Sequence, residues 1–329
     1  MYTKYYKIFL LIFSFFGSLF ISCESDEYSV PQANTQLHND AIKRTLGPNV
    51  VGLDIEFAYA MALGCERGHI VSAMVEASIS GATGTFLEHR SFHTDNGGND
   101  VGVVIGEPSI TAKNITKVIF SVDTCAATLR YYYTIPEEAR GKSVTFTFSS
   151  TASTGERVSY QMGPYQIAKM DIEKDIVVSN DDKCFFSIAD MKVYDEAEAL
   201  QRADKIDLVY LYRAVPGIAF NHALVSPDVD AKFLQGKNVP SSINNSTLIQ
   251  RTFGLQDQHL ARLQFGIYVD DLDFQTLNIS DAPNYAIDLR AEYGVWIQTV
   301  DNKYRAYVYV NDVNNGDETM TISIKRYEM

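Results

Sequence analysis

Residues 143–160 read "SVTFTFSSTASTGERVSY", which is the clearest β-hairpin pattern in the chain. Val144, Phe146 and Phe148 alternate with small polar residues, so their side chains lie on one side of an extended strand. The pair Thr154–Gly155 is a turn signal, and a second alternating run follows it. The stretch therefore predicts two antiparallel strands joined by a short turn.

Similar runs precede the hairpin and are separated by turn signals about every ten residues. They read "DIEFAYAMAL", "HIVSAMVEASI", "TFLEHRSFH", "DVGVVI", "KVIFSVD" and "TLRYYYTI". Many short strands at this spacing are typical of a β-sandwich. We predict a mainly β protein in which residues 47–168 form an immunoglobulin-like β-sandwich.

A second antiparallel β domain is predicted for residues 169–329, after a joint at "MGPYQIAKMDIEKD". One or two short helices interrupt its strands. In "YDEAEALQRADK", Asp195 can cap a helix because Glu198 follows three residues later. The stretch "DQHLARLQF" is the second helical candidate, and a polar, proline-containing loop is predicted for residues 216–246.

The start of the chain has the pattern of a secretory signal peptide, predicted over residues 1–22. Lys4 and Lys7 precede fifteen residues without a charge. This apolar run is shorter than the roughly 20 residues of a transmembrane helix, but its length is usual for a signal peptide. Residues 23–46 show little periodicity and are predicted to form an acidic, polar tether.

The apolar run ends in "LFISC", which resembles the lipobox of bacterial lipoproteins. The resemblance implies that Cys23 becomes the N-terminus and carries acyl chains, which anchor the protein in a membrane. Glu24, Ser25, Asp26 and Glu27 then resemble the acidic surface-export signal of Bacteroidetes lipoproteins. These likenesses predict attachment to the outer membrane, facing the cell exterior. A plain signal peptide, an uncleaved anchor and a simple polar spacer are the alternatives.

The composition excludes some classes of protein. The chain has a net charge of −13 and no basic run, so phosphate backbones would repel it and we expect no nucleic-acid partner. Hydrophobic residues make up 46% of the chain, which excludes a largely disordered protein. Cys65, Cys125 and Cys184 could form one disulfide, Cys65–Cys125, or remain three reduced thiols.

No cofactor and no metal are predicted. The motif "GKS" at 141–143 resembles part of a phosphate-binding loop, but Pro136 occupies the place of its required glycine. The chain has no C-x-x-C pair for zinc. The stretches "DNGGND" and "NDVNNGDE" offer oxygen atoms, yet neither has the spacing of a calcium loop.

Candidate catalytic residues are few. In an extended strand, "EHRSFHTD" places His89 and His93 about 13 Å apart, too far to share a metal. A Ser91–His93 pair lacks a recognisable oxyanion loop, so we predict a polar strand face. Asp271 and Asp273 would lie on one side of a strand with Cα atoms about 6.6 Å apart. That separation does not exclude glycosidase chemistry, although a solvated acidic edge is the alternative.

Several aromatic residues are predicted as a possible ligand-binding surface. In "YYY", the central Tyr132 points away from its two neighbours. Trp296 with Tyr293, or Tyr307 with Tyr309, is the other candidate platform. Flat, exposed aromatic faces can bind sugars, whereas packing against the sheet is the alternative for the same residues.

The chain resembles a family of uncharacterised lipoproteins from gut Bacteroidetes. The resemblance rests on "RYYYTIPEEARGKSVTFTFSS", on "SIADMKVYDEAEALQRADKIDLVYLYR" and on the closing "KRY". It implies a non-catalytic, accessory component of a starch-utilisation-type uptake system. Its partners would be an outer-membrane transporter, companion lipoproteins and a glycan or peptide ligand. A structural or adhesive surface subunit is the alternative, followed by a glycoside hydrolase that uses Asp271 and Asp273.

Overall fold

The computed structural model describes residues 34–215, 218–234, 236–263 and 265–329. Antiparallel strands dominate these residues, and the strands form two domains that each have their own core. The prediction of a mainly β chain with a β-sandwich and a second antiparallel domain is confirmed. Among the described residues, no helix is long and apolar enough to span a bilayer.

The first domain is a sandwich of two sheets. One sheet has the strand order β1-β2-β9-β4 and the other β11-β10-β3-β8-β7, while β5 and β6 form a separate two-stranded ribbon. The strands are β1 (His38–Lys43), β2 (Asp54–Ala62), β3 (Ile70–Ala77), β4 (Phe86–Leu87), β5 (Arg90–Thr94), β6 (Asp100–Val104), β7 (Ile110–Ala112), β8 (Ile115–Ile119), β9 (Ala126–Thr134), β10 (Ser143–Ala152) and β11 (Arg157–Gln166).

Aromatic side chains fill the space between the two sheets. Phe57, Tyr131, Phe146 and Phe148 are each at most 1% exposed, and the Phe57 ring centroid lies 4.8 Å from that of Phe146. The alternation that predicted the hairpin therefore places these rings in the core. The hairpin itself is confirmed, since β10 and β11 pair antiparallel on either side of the predicted turn.

The predicted tether over residues 23–46 is wrong near its end, where His38–Lys43 form the strand β1. His38–Lys43 pair with β2 along their whole length. The Asn39 amide donates to the hydroxyl of Tyr59 and to the carbonyl of Phe148, so it links the two sheets. Ala41 is the only buried side chain of the strand, which explains why no apolar alternation marks it in the sequence.

The second domain also consists of two facing sheets, with orders β12-β21-β20-β19-β17 and β14-β13-β15-β16-β18. Its main core lies between them. The strands are β12 (Asp171–Ser179), β13 (Phe185–Ser187), β14 (Lys192–Tyr194), β15 (Leu208–Val215), β16 (Ile218–Val225), β17 (Leu248–Phe253), β18 (Tyr285–Leu289), β19 (Tyr293–Gln298), β20 (Tyr304–Asn314) and β21 (Thr319–Glu328).

Three short helices occur in the described part of this domain: α1 (Glu196–Leu200), α2 (Gln258–Ala261) and α3 (Asp271–Thr276). The predicted cap of α1 is confirmed, because the Asp195 carboxylate accepts from the Glu198 N–H and the Glu198 carboxylate accepts from the Asp195 N–H. The predicted loop over residues 216–246 is wrong at its start, where β16 pairs with β15.

A separate apolar cluster, here called the junction core, joins the two domains. It brings side chains of the first domain and of the linker against α2, α3 and the strands β20 and β21. Asp257 and Lys325 lie within this region, where both side chains are fully buried and 2.6 Å separate Oδ2 from Nζ. The buried members of the junction core are Val50, Ala168, Met170, Leu260, Val269, Phe274, Tyr307, Tyr309 and Tyr327.

In the first domain, the end where the chain enters lies opposite the end that joins the second domain. The first of these is here called the N-terminal end. At one end, His38 begins β1 opposite Ala62, which in turn pairs with Ala126 of β9. At the other end, Asp54 pairs with Thr134, close to the residues that enter the junction core. The single disulfide of the described residues, Cys65–Cys125, lies at the N-terminal end.

Removing this disulfide should lower stability. It closes a loop with a sequence separation of 60 residues, so its loss frees the unfolded chain and should reduce the free energy of unfolding by about 2–4 kcal/mol. Chemical denaturation of Cys65→Ala/Cys125→Ala measures this. As a control, reductant should lower the wild-type midpoint and leave the variant unchanged; an equal response in both would contradict the prediction.

Lys325→Met should destabilise the protein by about 3–5 kcal/mol, because it leaves the Asp257 carboxylate buried without its cation. The double variant Lys325→Met/Asp257→Asn should recover part of that loss, since it removes the charge as well. Lys303→Met is the matched control, because the exposed Lys303 side chain pairs with the exposed carboxylate of Glu328, so its loss should change stability far less. Equal losses for Lys303→Met and Lys325→Met would refute the assignment.

Candidate ligand-binding trough

The outer face of the sheet β1-β2-β9 carries a recess of about 550 Å³, here called the trough. It is lined by residues 38–40, 60–62, 91–93 and 126–128. Four separate strands, β1, β2, β5 and β9, therefore contribute to it. Its volume lies within the range of about 300–1,000 Å³ that is usual for ligand sites.

Two rows of side chains in register cross the trough from β1 to β9. His38, Ala62 and Ala126 form one row across the three strands, and Asp40, Ala60 and Thr128 form the next. The rows are two residues apart, about 6.6 Å, and β1 lies about 10 Å from β9. The alanine methyl groups thus leave a flat apolar floor between polar residues of β1 and the ribbon β5–β6.

Several polar groups in the walls have no hydrogen-bond partner among the described residues. Nδ1 of His38 contacts the Gln36 carbonyl and Oδ1 of Asp40 accepts from the Ala41 N–H. The Ser91 hydroxyl accepts from the Thr128 N–H, which holds β5 beside β9. Within the described residues, Nε2 of His38, Oδ2 of Asp40 and the His93 ring form no hydrogen bond. These groups are available to a ligand.

A charged network lies on the same face, beyond the floor. Arg130 donates to Asp100 at 2.7 Å, and Arg44 lies 3.0 Å from Glu56 and 3.8 Å from Asp100. The Arg130 guanidinium also lies 5.4 Å from the centroid of the Phe92 ring. Both guanidinium groups are therefore paired within the protein, and their contacts hold the ribbon β5–β6 against the sheet.

Tyr132 does face outward, as predicted, but it is not free. Its ring stacks on Phe86 with centroids 4.8 Å apart and planes 17° apart. Burial, with the carboxylates of Glu56 and Glu88 nearby, raises the pKa of the Tyr132 hydroxyl. Phe86 is 40% exposed and covers part of the tyrosine. The pair is separate from the trough, because neither residue lines it.

Tyr293 and Trp296 cannot form one platform. They lie three positions apart on β19, so their side chains point to opposite faces of the sheet. Trp296 packs against Phe274 and Tyr307 at the junction core. Tyr293 instead packs edge-on against Phe253, which is 59% exposed.

Asp271 and Asp273 do not lie on a strand, and the extended pattern predicted for them is wrong. Both belong to α3, whose N-cap is Asp270. The Asp271 carboxylate accepts from the N–H groups of Lys169 and Met170 and so holds the linker between the domains. Asp273 accepts from the Asp270 N–H as part of the capping box. Both carboxylates therefore have structural partners.

The other predicted positions have simpler outcomes. "EHRSFHTD" is largely the strand β5, as predicted, and only Ser91 and His93 of its polar residues line the trough. Asp95 accepts from the N–H groups of Gly97 and Asn99 and so shapes the hairpin loop. The described residues contain no group of three or more His, Cys, Asp or Glu side chains placed to hold a metal.

The lipid-attachment residue Cys23 and the export residues Glu24, Ser25, Asp26 and Glu27 lie outside the described residues. Their roles stay predictions. Cys65 and Cys125 form the disulfide, whereas Cys184 is free and buried.

Family models match both domains. Residues 34–167 match "Domain of unknown function (DUF4466)" and residues 168–329 match "Domain of unknown function (DUF8576)". The chain is 43% identical to a DUF4466 family protein from Parabacteroides merdae of known crystal structure, with a TM-score of 0.85. The match covers 90% of this chain and all of that one. The chain belongs to the DUF4466 family.

This DUF4466 membership agrees with the resemblance to Bacteroidetes proteins, since the Parabacteroides relative comes from that group. The major pilin subunit BcpA of Bacillus cereus also matches, at 8% identity over 88% of this chain and 66% of that one. Its TM-score of 0.28 is too low to support an inference. No curated protein matches the chain. The association with uptake systems stays a prediction.

Asp207 is a buried carboxylate in the second domain of this DUF4466 protein, away from the trough. Asp207 is 5% exposed, and its Oδ2 accepts from the Ile188 N–H at 2.8 Å. Burial raises the pKa of Asp207 to about 7, and the nearby Asp301 and Asp190 add to the effect. The folded protein therefore holds a proton there that the unfolded chain releases near pH 4.

This proton should make stability fall as pH rises from about 4 to about 7, because the folded state binds more protons over that window. Asp207→Asn removes the titration. It should match wild type near pH 4 and exceed it at pH 8 by up to about 4 kcal/mol, since one pKa unit corresponds to about 1.4 kcal/mol. Urea denaturation across this pH range measures the difference. The exposed Asp204→Asn is the control, and a pH-independent difference for Asp207→Asn would contradict the assignment.

Proposed function

We propose that this DUF4466 protein is a lipid-anchored protein of the outer-membrane surface that acts by binding and not by catalysis. Its role is that of an accessory component that captures a glycan or peptide for an outer-membrane transporter and its companion lipoproteins. The trough is the ligand site. The observation that carries the proposal is the combination of its apolar floor with wall groups that are open to a ligand.

The position of the trough supports this role. Gln36 follows Cys23 by 13 residues, a length of chain that spans at most about 45 Å when fully extended. The trough lies at the N-terminal end of the first domain, where the described chain begins and His38 lines the recess.

The bonding of the candidate catalytic residues supports binding over catalysis. The carboxylates of Asp271 and Asp273 accept hydrogen bonds from backbone N–H groups. A general acid–base pair must instead face a substrate with an uncommitted atom.

A structural or adhesive role is the second candidate. Within the described residues β6 pairs on one side only, with β5. Val101, Val103 and Val104 of this strand are between 36% and 56% exposed. An exposed apolar edge strand can pair with a strand of another chain.

Anchoring and partnership can be tested together on the full chain in a Bacteroidetes host. We expect the wild type in the outer-membrane fraction with an acylated N-terminus, and an outer-membrane transporter to co-purify after detergent solubilisation. Cys23→Ala should abolish acylation and release the protein from the membrane, because the acyl chains are the anchor. Fractionation and mass spectrometry measure both effects.

Cys184→Ala is the matched control, since it removes a thiol and leaves the lipobox intact. It should fractionate like the wild type. An unacylated Cys23 would remove the anchor from the proposal, and recovery of no transporter or companion lipoprotein would count against the uptake role. Polymers in unheated gel samples would favour the structural alternative.

A further inference from the structure

We infer that the ligand of the trough is an uncharged sugar and not a peptide, an inference that rests on the proposed binding function. The trough offers side chains on the face of a sheet, and no lysine or arginine lines it. Each of these features restricts the chemistry of the ligand.

A peptide normally binds a β protein by adding a strand to an exposed sheet edge. Beneath the trough, β2 lies between β1 and β9, so its backbone groups bond within the sheet. β9 pairs with β4 only at Tyr131 and Tyr132, and at the trough its Thr128 N–H bonds to the Ser91 hydroxyl of β5, which covers that edge. On the outer side of β1, the Ala41 N–H bonds to the Asp40 side chain and the Leu37 N–H bonds to Glu156, so the run of backbone donors that an added strand needs is interrupted. Recognition at the trough therefore relies on side chains.

Charge excludes acidic ligands. Asp40 is the only carboxylate among the lining residues, and no lysine or arginine lines the trough. On the same face, the guanidinium groups of Arg44 and Arg130 are paired with Glu56 and Asp100, and that of Arg90 is paired with Glu88. A carboxylated or phosphorylated ligand would therefore meet a fixed negative charge without a free cation to balance it.

The remaining groups fit hydroxyls. Oδ2 of Asp40 accepts, the Ser91 hydroxyl can donate, and the rings of His38 and His93 can do either. A sugar hydroxyl is both donor and acceptor, so it can bond to any of them. The apolar C–H face of the same sugar can lie on Ala60, Ala62 and Ala126, which occupy two adjacent strands about 5 Å apart in rows about 7 Å apart. An uncharged sugar uses both parts of the site.

The test uses the full mature chain, purified in detergent. An array that contains neutral glycans, acidic glycans and short peptides identifies binders, and calorimetry then measures affinity. We expect at least one neutral glycan to bind. Ala60→Phe fills the floor and should weaken that binding at least tenfold, and Asp40→Asn should weaken it severalfold while it keeps the bond to the Ala41 N–H.

Ala112→Phe is the matched control, because Ala112 is an exposed alanine on β7 of the other sheet. It should bind like the wild type, and thermal melting verifies the fold of each variant. If Ala60→Phe does not fold, Asp40→Asn decides the result alone.

Neutral-glycan binding that both trough variants leave unchanged overturns the inference, as does binding of acidic glycans alone. Peptide binding that depends on the trough also overturns it, but leaves the capture function standing. If no member of the array binds, both the sugar assignment and the capture function fail.

Discussion

The face of the second domain that meets the first is held together by the ion pair between Asp257 and Lys325. Both groups are fully buried, and two charges in an apolar region are stable only when each is fully bonded. Asp257 also accepts from the N–H groups of Leu260 and Val269, and Lys325 donates to the Val269 carbonyl. Burial lowers the pKa of Lys325, while Asp257 opposes the shift. The pair thereby fixes α2 and its following loop on the last strand, where the junction core forms.

Local patterns predicted those parts of the fold that neighbouring residues determine. The hairpin at 143–160 and the cap formed by Asp195 and Glu198 depend on spacings of a few residues, so the sequence contains the whole signal. The strand β1 could not be predicted this way, because it buries only one side chain and its extended conformation depends on pairing with β2. The helix α3 was missed because Asp270 caps it within a run of acidic residues that also resembles an exposed strand.

The trough was beyond the reach of sequence patterns for a different reason. Its residues come from segments at 38–40, 60–62, 91–93 and 126–128, which only the sheet register brings together. One signal was present in "DIEFAYAMAL", where every residue between the buried Phe57, Tyr59 and Met61 is an alanine. Large residues inside and alanines outside leave room over that face. The sequence could suggest this space, but it could not show which side chains border it.

The course of β1 has a mechanical consequence. The chain enters the first domain at His38, runs the length of this strand and continues directly to Val50, which is buried beside the second domain. With an anchor at Cys23, drag on the second domain would pull along the axis of β1. The six residue pairs between β1 and β2 would then bear the load together in shear, so the link would resist flow far better than a hairpin opened from its tip.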